Sequence, residues 1–154
     1  MFKRIMVGID ENSAPGKVLS TALELARLFN ARLAICYALD ETILAKRRGE
    51  IMLANTISDV EHQLRSGARV FLDEAVGIAH AAGVDCETRL VESEAKQVAE
   101  MLADAAKEWQ ADLLVAGTHG QRGFERFFVG SVGEKLARMA GTAAGTSLLL
   151  VRSE

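Results

Sequence analysis

The sequence is poor in the residues that build metal sites and disulfides. It has two cysteines, Cys36 and Cys86, no Cys-x-x-Cys pair, and three histidines scattered along the chain. Both cysteines lie in apolar, strand-like runs, which favours buried structural thiols over a disulfide or a metal ligand. A zinc site is therefore not supported, and we predict no metal ligands.

Basic charge and long apolar runs are also scarce. The net charge is −3, and the only basic run, Lys46 to Arg48, fits a solvated loop better than a phosphate or partner contact. Proteins that bind nucleic acid usually carry a basic stripe, so no nucleic acid is expected. No apolar stretch reaches the ~18 residues of a membrane span, and no export signal precedes the first strand pattern. We therefore expect a cytoplasmic protein with no membrane contact.

What the sequence does contain is a regular alternation of strand-like and helical patterns. The 154 residues suit one domain, residues 1–154. Short apolar runs alternate with segments whose apolar residues recur every three or four positions. This β-α-β-α-β-α-β-α-β order predicts an α/β fold: a parallel sheet with helices on both faces. The predicted strands are Ile5–Ile9, Leu33–Ala38, Cys86–Val91, Leu113–Ala116 and Leu148–Val151.

The expected helix boundaries rest on caps and breakers. Ser13 is the predicted N-cap of the first helix, and Pro15 falls in its first turn. Gly83 is a natural stop for a long second helix. The remaining apolar periodicities place the second, third and fourth helices over Ile57–Ala82, Val98–Trp109 and Val132–Ala140.

The residues best suited to bind a ligand follow the fourth strand, in the glycine-rich stretch Gly117 to Ser131. Gly117 and Gly120 free the backbone to approach a ligand, and Gly130-Ser131 stands where a helix dipole favours phosphate. Glycine between a strand and a helix also serves packing alone, so these residues leave both roles open. The stretch lacks the Gly-Lys-Ser/Thr of a Walker A loop, and a dinucleotide fingerprint belongs after strand one.

Gly117-x-x-Gly120, nine further residues and Gly130-Ser131 together resemble the nucleotide-binding pattern of the ATP-binding universal stress proteins. The resemblance covers nearly the whole chain, including a first strand that ends in Asp10. It implies an open five-stranded sheet of order 3-2-1-4-5, with a Rossmann-like, adenine nucleotide alpha-hydrolase-like fold. It also implies a homodimer paired through the last strand, which would otherwise expose an apolar edge.

The resemblance also implies which residues hold the nucleotide. The aspartate after strand one meets the ribose hydroxyls, the backbone beside it meets adenine, and the end of strand two packs against adenine. The loop after strand four meets ribose and phosphate, and the start of the next helix cradles the phosphates. The implied residues are Gly8, Ile9, Asp10, Ala38, Gly117, His119, Gly120, Arg122, Gly130, Ser131 and Val132.

Several of these assignments have a plain alternative. Asp10 could instead cap the first helix, His119 could be an exposed loop residue, and Arg122 and Arg126 fit a solvated loop as well as triphosphate contacts.

Two features depart from the family pattern. Gly133 stands where many relatives carry a hydroxyl or alanine, and the segment 140–147 is longer than usual and lacks a proline.

The function expected from this sequence is binding rather than catalysis. No Ser/His/Asp set, carboxylate pair or activated cysteine stands out, so we predict no catalytic residues. The expected ligand is ATP or AMP, with or without Mg²⁺, bound by a dimeric stress-response regulator with little or no hydrolysis. The alternatives are a dimeric interaction protein with a vestigial nucleotide cleft and a slow ATPase.

Overall fold

The computed structural model describes residues 1–10, 16–40, 54–93, 95–117 and 145–152. Within these ranges strands and helices alternate as the apolar periodicity predicts, and no helix there is both long and apolar enough for a membrane crossing. The fourth predicted helix, Val132–Ala140, lies outside the described residues. The elements are β1 (Arg4–Ile9), α1 (Lys17–Phe29), β2 (Arg32–Asp40), α2 (Ala54–Ala81), β3 (Cys86–Ser93), α3 (Val98–Trp109), β4 (Leu113–Gly117) and β5 (Ser147–Val151).

All five strands form one parallel sheet in the order β3-β2-β1-β4-β5, which confirms the predicted fold class and strand order. β1 is central, since it pairs with β2 from Arg4 beside Arg32 onward and with β4 from Ile5 beside Leu113 onward. The strands begin at one edge of the sheet, here called the amino edge, and end at the opposite carboxyl edge.

Alternate residues of each strand point to opposite faces of the sheet, and each face is covered by helix. The α1/α2 face carries Ile5, Val7 and Ile9 of β1 in one buried cluster with residues of both helices. The α3 face carries Met6, Ala34, Cys36, Ala38, Leu114 and Ala116 in a second cluster with α3. Its strand residues are mostly small, which lets α3 lie close to the sheet.

Helix ends follow local signals more closely than helix starts. Gly83 has a φ of +76° immediately after α2, as predicted for its stop, and Asn30 adopts the same left-handed conformation at the end of α1. The predicted N-cap Ser13 is wrong, because Gly16 occupies that position with no side-chain capping bond. The cap signal at Ser13 is purely local, and the position of α1 is instead set by its buried face against the sheet.

At the amino edge of the sheet, a set of polar contacts joins β1 to Asp112 and to the end of α3. The Asp112 carboxylate accepts the backbone N–H of Lys3 at 2.8 Å and of Arg4 at 3.0 Å. The Arg4 guanidinium lies 4.0 Å from the centre of the Trp109 ring and donates to the Trp109 carbonyl. The indole Nε1 of Trp109 donates to Glu87 at 2.9 Å, so the end of α3 is tied to both β1 and β3.

Candidate functional site

The strand order reverses between β1 and β4, as the sequence predicts if strand one is central. The chain builds outward from β1 through β2 to β3, then crosses to β4 on the other side of β1. In open α/β sheets the connections that follow two such strands run in opposite directions and leave a crevice between the strand ends. Ligands of open α/β sheets bind at such a switch point.

The fold brings five of the predicted site residues to this part of the carboxyl edge. Gly8 and Ile9 end β1, Asp10 follows them, Ala38 lies near the end of β2, and Gly117 ends β4. Their assignment to a nucleotide remains a prediction. The other predicted site residues, together with the Arg126 and Gly133 positions, lie outside the described residues: His119, Gly120, Arg122, Gly130, Ser131 and Val132.

Packing against α3 leaves little space for a side chain at position 8. A Cβ at this position would lie 2.9 Å and 3.0 Å from the two terminal methyl carbons of Leu102 on α3. Such distances are well inside the ~3.5–4.0 Å of a favourable carbon contact. A side chain at position 8 would therefore require the Leu102 methyl groups to shift.

The side chains of Ile9 and Ala38 are both buried, on opposite faces of the sheet. The Ile9 side chain is buried in the cluster on the α1/α2 face, so only its backbone remains for the crevice. Ala38 and Ala116 lie on the α3 face, where both side chains are buried in the cluster with α3.

The alternative role of Asp10 as the cap of the first helix is not supported. The N-cap of α1 is Gly16, and no side chain makes a capping bond there. Asp10 lies six positions earlier, directly after β1, and is partly exposed at the carboxyl edge. Its ribose-binding role remains a prediction.

The two cysteines are not joined in a disulfide. Both thiols are free. Cys36 is buried on the α3 face, as predicted, and burial raises the pKa of its thiol to about 12. Cys86 packs against the cluster on the opposite face and is only half-buried, so the prediction of full burial is wrong for it. Burial and the nearby Asp85 charge raise the pKa of Cys86 as well.

Metal-binding side chains do not cluster in the described ranges, where no group of three or more His, Cys, Asp or Glu residues could hold an ion. At the carboxyl edge, the Asp10 carboxylate and the Ile9 backbone are polar groups that could contact a ligand.

Sequence reasoning missed Leu102 and Asp112. Leu102 is one of several apolar residues on the buried face of α3, and its periodicity does not say which strand residue it meets. Asp112 precedes a strand, where an acidic residue reads as an ordinary turn residue. Both make contacts with β1 that only the folded chain brings together.

Comparison with known proteins identifies the family. A model of the universal stress protein family matches residues 1–142. The chain belongs to the universal stress protein family. A universal stress protein of Synechocystis sp. is 28% identical over 138 residues, which are 85% of this chain and 88% of that protein.

Solved structures of the family agree with this assignment. The crystal structure of a universal stress protein family member from Burkholderia pseudomallei has 30% identity and a TM-score of 0.69, over 97% of this chain and 95% of that one. A universal stress protein in complex with cAMP has 27% identity and a TM-score of 0.68, over 99% of both chains. The resemblance to the universal stress protein family is thus confirmed, and the predicted fold agrees with the solved structures of family members.

Proposed function

We propose that this universal stress protein binds an adenine nucleotide, ATP or AMP, at the carboxyl ends of β1, β2 and β4, and so belongs to the ATP-binding subgroup. The observation that carries the proposal is the convergence of the Ile9 backbone, Asp10, Ala38 and Gly117 at the switch point of the sheet. These four residues come from three neighbouring strands and match the chemistry of one nucleoside.

Each part of a nucleoside has a counterpart among these residues. A carboxylate accepts hydrogen bonds from two vicinal hydroxyls, which suits Asp10 to the ribose. Backbone N–H and C=O groups at Ile9 match the polar edge of adenine, and Ala38 keeps the neighbouring end of β2 apolar. The cAMP complex of the relative that is 27% identical supports an adenine nucleotide as the ligand class.

The phosphates would be held by the glycine-rich stretch that begins at Gly117. We propose that His119, Gly120 and Arg122 contact the ribose and phosphates. Gly130, Ser131 and Val132 would bind the phosphates at the predicted start of the next helix. Free N–H groups and a helix dipole favour an anion there without any catalytic group. We therefore propose binding with little or no hydrolysis, and Mg²⁺ as an accompaniment of ATP only.

The regulatory role requires that the nucleotide changes what the protein does. A ligand shifts a conformational or binding equilibrium only by its differential affinity for the two states. We propose that nucleotide occupancy changes the conformation or partner choice of a dimeric, cytoplasmic stress-response regulator.

The two edges of the sheet favour dimerisation through β5. Within the described ranges β5 is hydrogen-bonded to β4 alone, and its sequence, Ser-Leu-Leu-Leu-Val, has no charge. β3 at the other edge carries Glu87, Arg89 and Glu92, all in ion pairs with neighbouring elements. Charged edge strands resist pairing and uncharged apolar ones invite it. A two-fold axis beside β5 would join two copies into one continuous sheet.

Thermal unfolding with and without nucleotide tests the binding proposal. A ligand at about 100 times its Kd stabilises the folded state by about 2.7 kcal/mol. For a domain of this length that corresponds to a Tm increase of about 5–10 °C. We expect this increase with ATP or AMP, and a smaller one with guanine nucleotides at the same concentration. ATP should be compared with and without Mg²⁺.

Matched aspartate variants locate the site. Asp10→Ala removes a charged hydrogen-bond acceptor and should raise the Kd about tenfold or more. Asp59→Ala, an exposed residue on α2, makes the same charge change and should leave the Kd unaltered. No Tm increase with any adenine nucleotide would instead favour a vestigial cleft. Phosphate release that falls on changing Ser131 or His119 would favour a slow ATPase.

A further inference from the structure

Leu102 of α3 occupies the space beside Gly8, near the end of β1. The Leu102 side chain is 5% exposed, and its methyl groups fill the space that a side chain at position 8 would need, at 2.9 and 3.0 Å from an added Cβ. Position 8 is followed directly by Ile9 and Asp10, the residues assigned above to the base and the ribose. A change at this contact is therefore transmitted to them through one or two peptide bonds.

Helix α3 is tied to the sheet at its C-terminal end and packed against it along its buried face, which restricts how far Leu102 can withdraw with the helix. Before the helix, the Ser93 hydroxyl accepts the N–H groups of Ala95 and Lys96 at 3.1 and 2.9 Å in a local turn. At the far end, the Trp109 indole donates to Glu87 and the Trp109 carbonyl accepts from Arg4. Between these contacts, buried alanines hold the helix close to the sheet at positions 99, 105 and 106.

We infer that Leu102 is a positioning residue of the nucleotide site, acting through Gly8 to set the depth of the Ile9–Asp10 backbone in the crevice. This inference rests on the proposed nucleotide binding. It means that a residue of α3 helps to set the affinity of the site. Glycine at position 8 is then required by the helix. Under the competing explanation, the nucleotide itself approaches Gly8 and excludes a side chain there.

A double-mutant cycle separates the two explanations. The Kd for AMP is measured by calorimetry for the wild type, Gly8→Ala, Leu102→Ala and the double variant, at a temperature where unfolding curves show each of them folded. Gly8→Ala should raise the Kd about tenfold or more, because the added methyl overpacks the contact and displaces the strand end. In the double variant, loss of the leucine methyls makes room, and the Kd should return to within about threefold of Leu102→Ala alone.

Gly77→Ala is the matched control, because a Cβ at Gly77 of α2 meets nothing within 4 Å. Its Kd should equal that of the wild type. Leu102→Met covers the case in which Leu102→Ala fails to fold, since this exchange nearly conserves volume. It changes the shape of the side chain over Gly8 and should raise the Kd about threefold, with little change in Tm.

Three results would overturn the inference while leaving nucleotide binding intact. They are a double variant as weak as Gly8→Ala, a Gly8→Ala variant that binds like the wild type, and a folded Leu102→Met variant with unchanged Kd. The first would assign the glycine to direct approach by the ligand. A wild-type protein that binds no adenine nucleotide would instead overturn the proposed function, and the inference with it.

Discussion

Removal of the Asp112 carboxylate should destabilise the fold without affecting the carboxyl edge. This carboxylate accepts two backbone N–H groups at the start of β1, from Lys3 at 2.8 Å and Arg4 at 3.0 Å. The Asp112 backbone adds a bond to Arg4 and accepts one from Ser147, so the residue joins β1, β4 and β5. The variant Asp112→Ala removes the two side-chain acceptors and keeps both backbone bonds.

The size of the expected loss of stability follows from how exposed the N–H donors of Lys3 and Arg4 are. A hydrogen bond to a charged group contributes about 1.5–3 kcal/mol when it is shielded from water. The Lys3 bond is exposed, so its donor regains water, whereas the Arg4 bond is partly buried and its donor is left poorly satisfied. We expect a loss of about 2–3 kcal/mol in the free energy of unfolding. For a domain of this length that lowers the Tm by about 4–12 °C.

Urea unfolding followed by circular dichroism measures this loss, and two further variants calibrate it. Asp112→Asn keeps one acceptor oxygen and should lose about half as much. Asp104→Ala removes the same charge from an exposed ion pair with Lys96, where the expected loss is below about 1 kcal/mol. The Kd for AMP should be unchanged in Asp112→Ala, because the contact lies at the amino edge.

The reasoning would be refuted if Asp112→Ala unfolded within about 0.5 kcal/mol of the wild type, the range of ordinary surface substitutions. It would also be refuted if Asp104→Ala were equally destabilised, because the effect would then follow charge and not the two backbone donors.

Two further predictions concern the buried thiol and the sheet edge. Burial raises the pKa of Cys36 from 9.0 to about 12. The unfolded chain loses this proton above about pH 9 while the folded chain keeps it, so stability should fall between about pH 9 and 12 by up to about 1.4 kcal/mol per pH unit. Cys36→Ala should flatten that part of the curve of unfolding free energy against pH, and equal slopes in the two proteins would contradict the assignment. Ser147→Lys places a charge at the exposed position of β5 and should give a monomer by light scattering, while Thr88→Lys at an exposed position of β3 should leave a dimer. Two variants of equal mass would rule out pairing through β5 alone.

Much of the fold was predictable because its signals are local. The apolar periodicity predicted every strand and helix that the structure describes, and Gly83 marked the end of α2 through its left-handed backbone. The cap signal at Ser13 was misleading, since α1 begins where its buried face meets the sheet. Cys86 looked buried within an apolar run, but it stands on an edge strand where one side of the chain faces water.

The candidate site was predictable to the level of strands and their ends. The positions of Gly8, Ile9, Asp10, Ala38 and Gly117 along the chain placed them at strand ends, and parallel strands bring such ends to a single edge. The reason for glycine at position 8 could not be predicted. It depends on Leu102, and helical periodicity does not say which residue of another element a side chain meets.

The sequence by itself determined the order of the elements, their parallel arrangement and their family, because apolar periodicity and motif spacing are properties of the chain alone. The tertiary structure decided which distant residues depend on each other. Leu102 closes the space over Gly8, and Asp112 satisfies the N–H groups of β1 from a position 109 residues away from Lys3. These contacts form only when α3 and β4 pack against the central strand, since no local signal encodes the distance between two residues far apart in the chain.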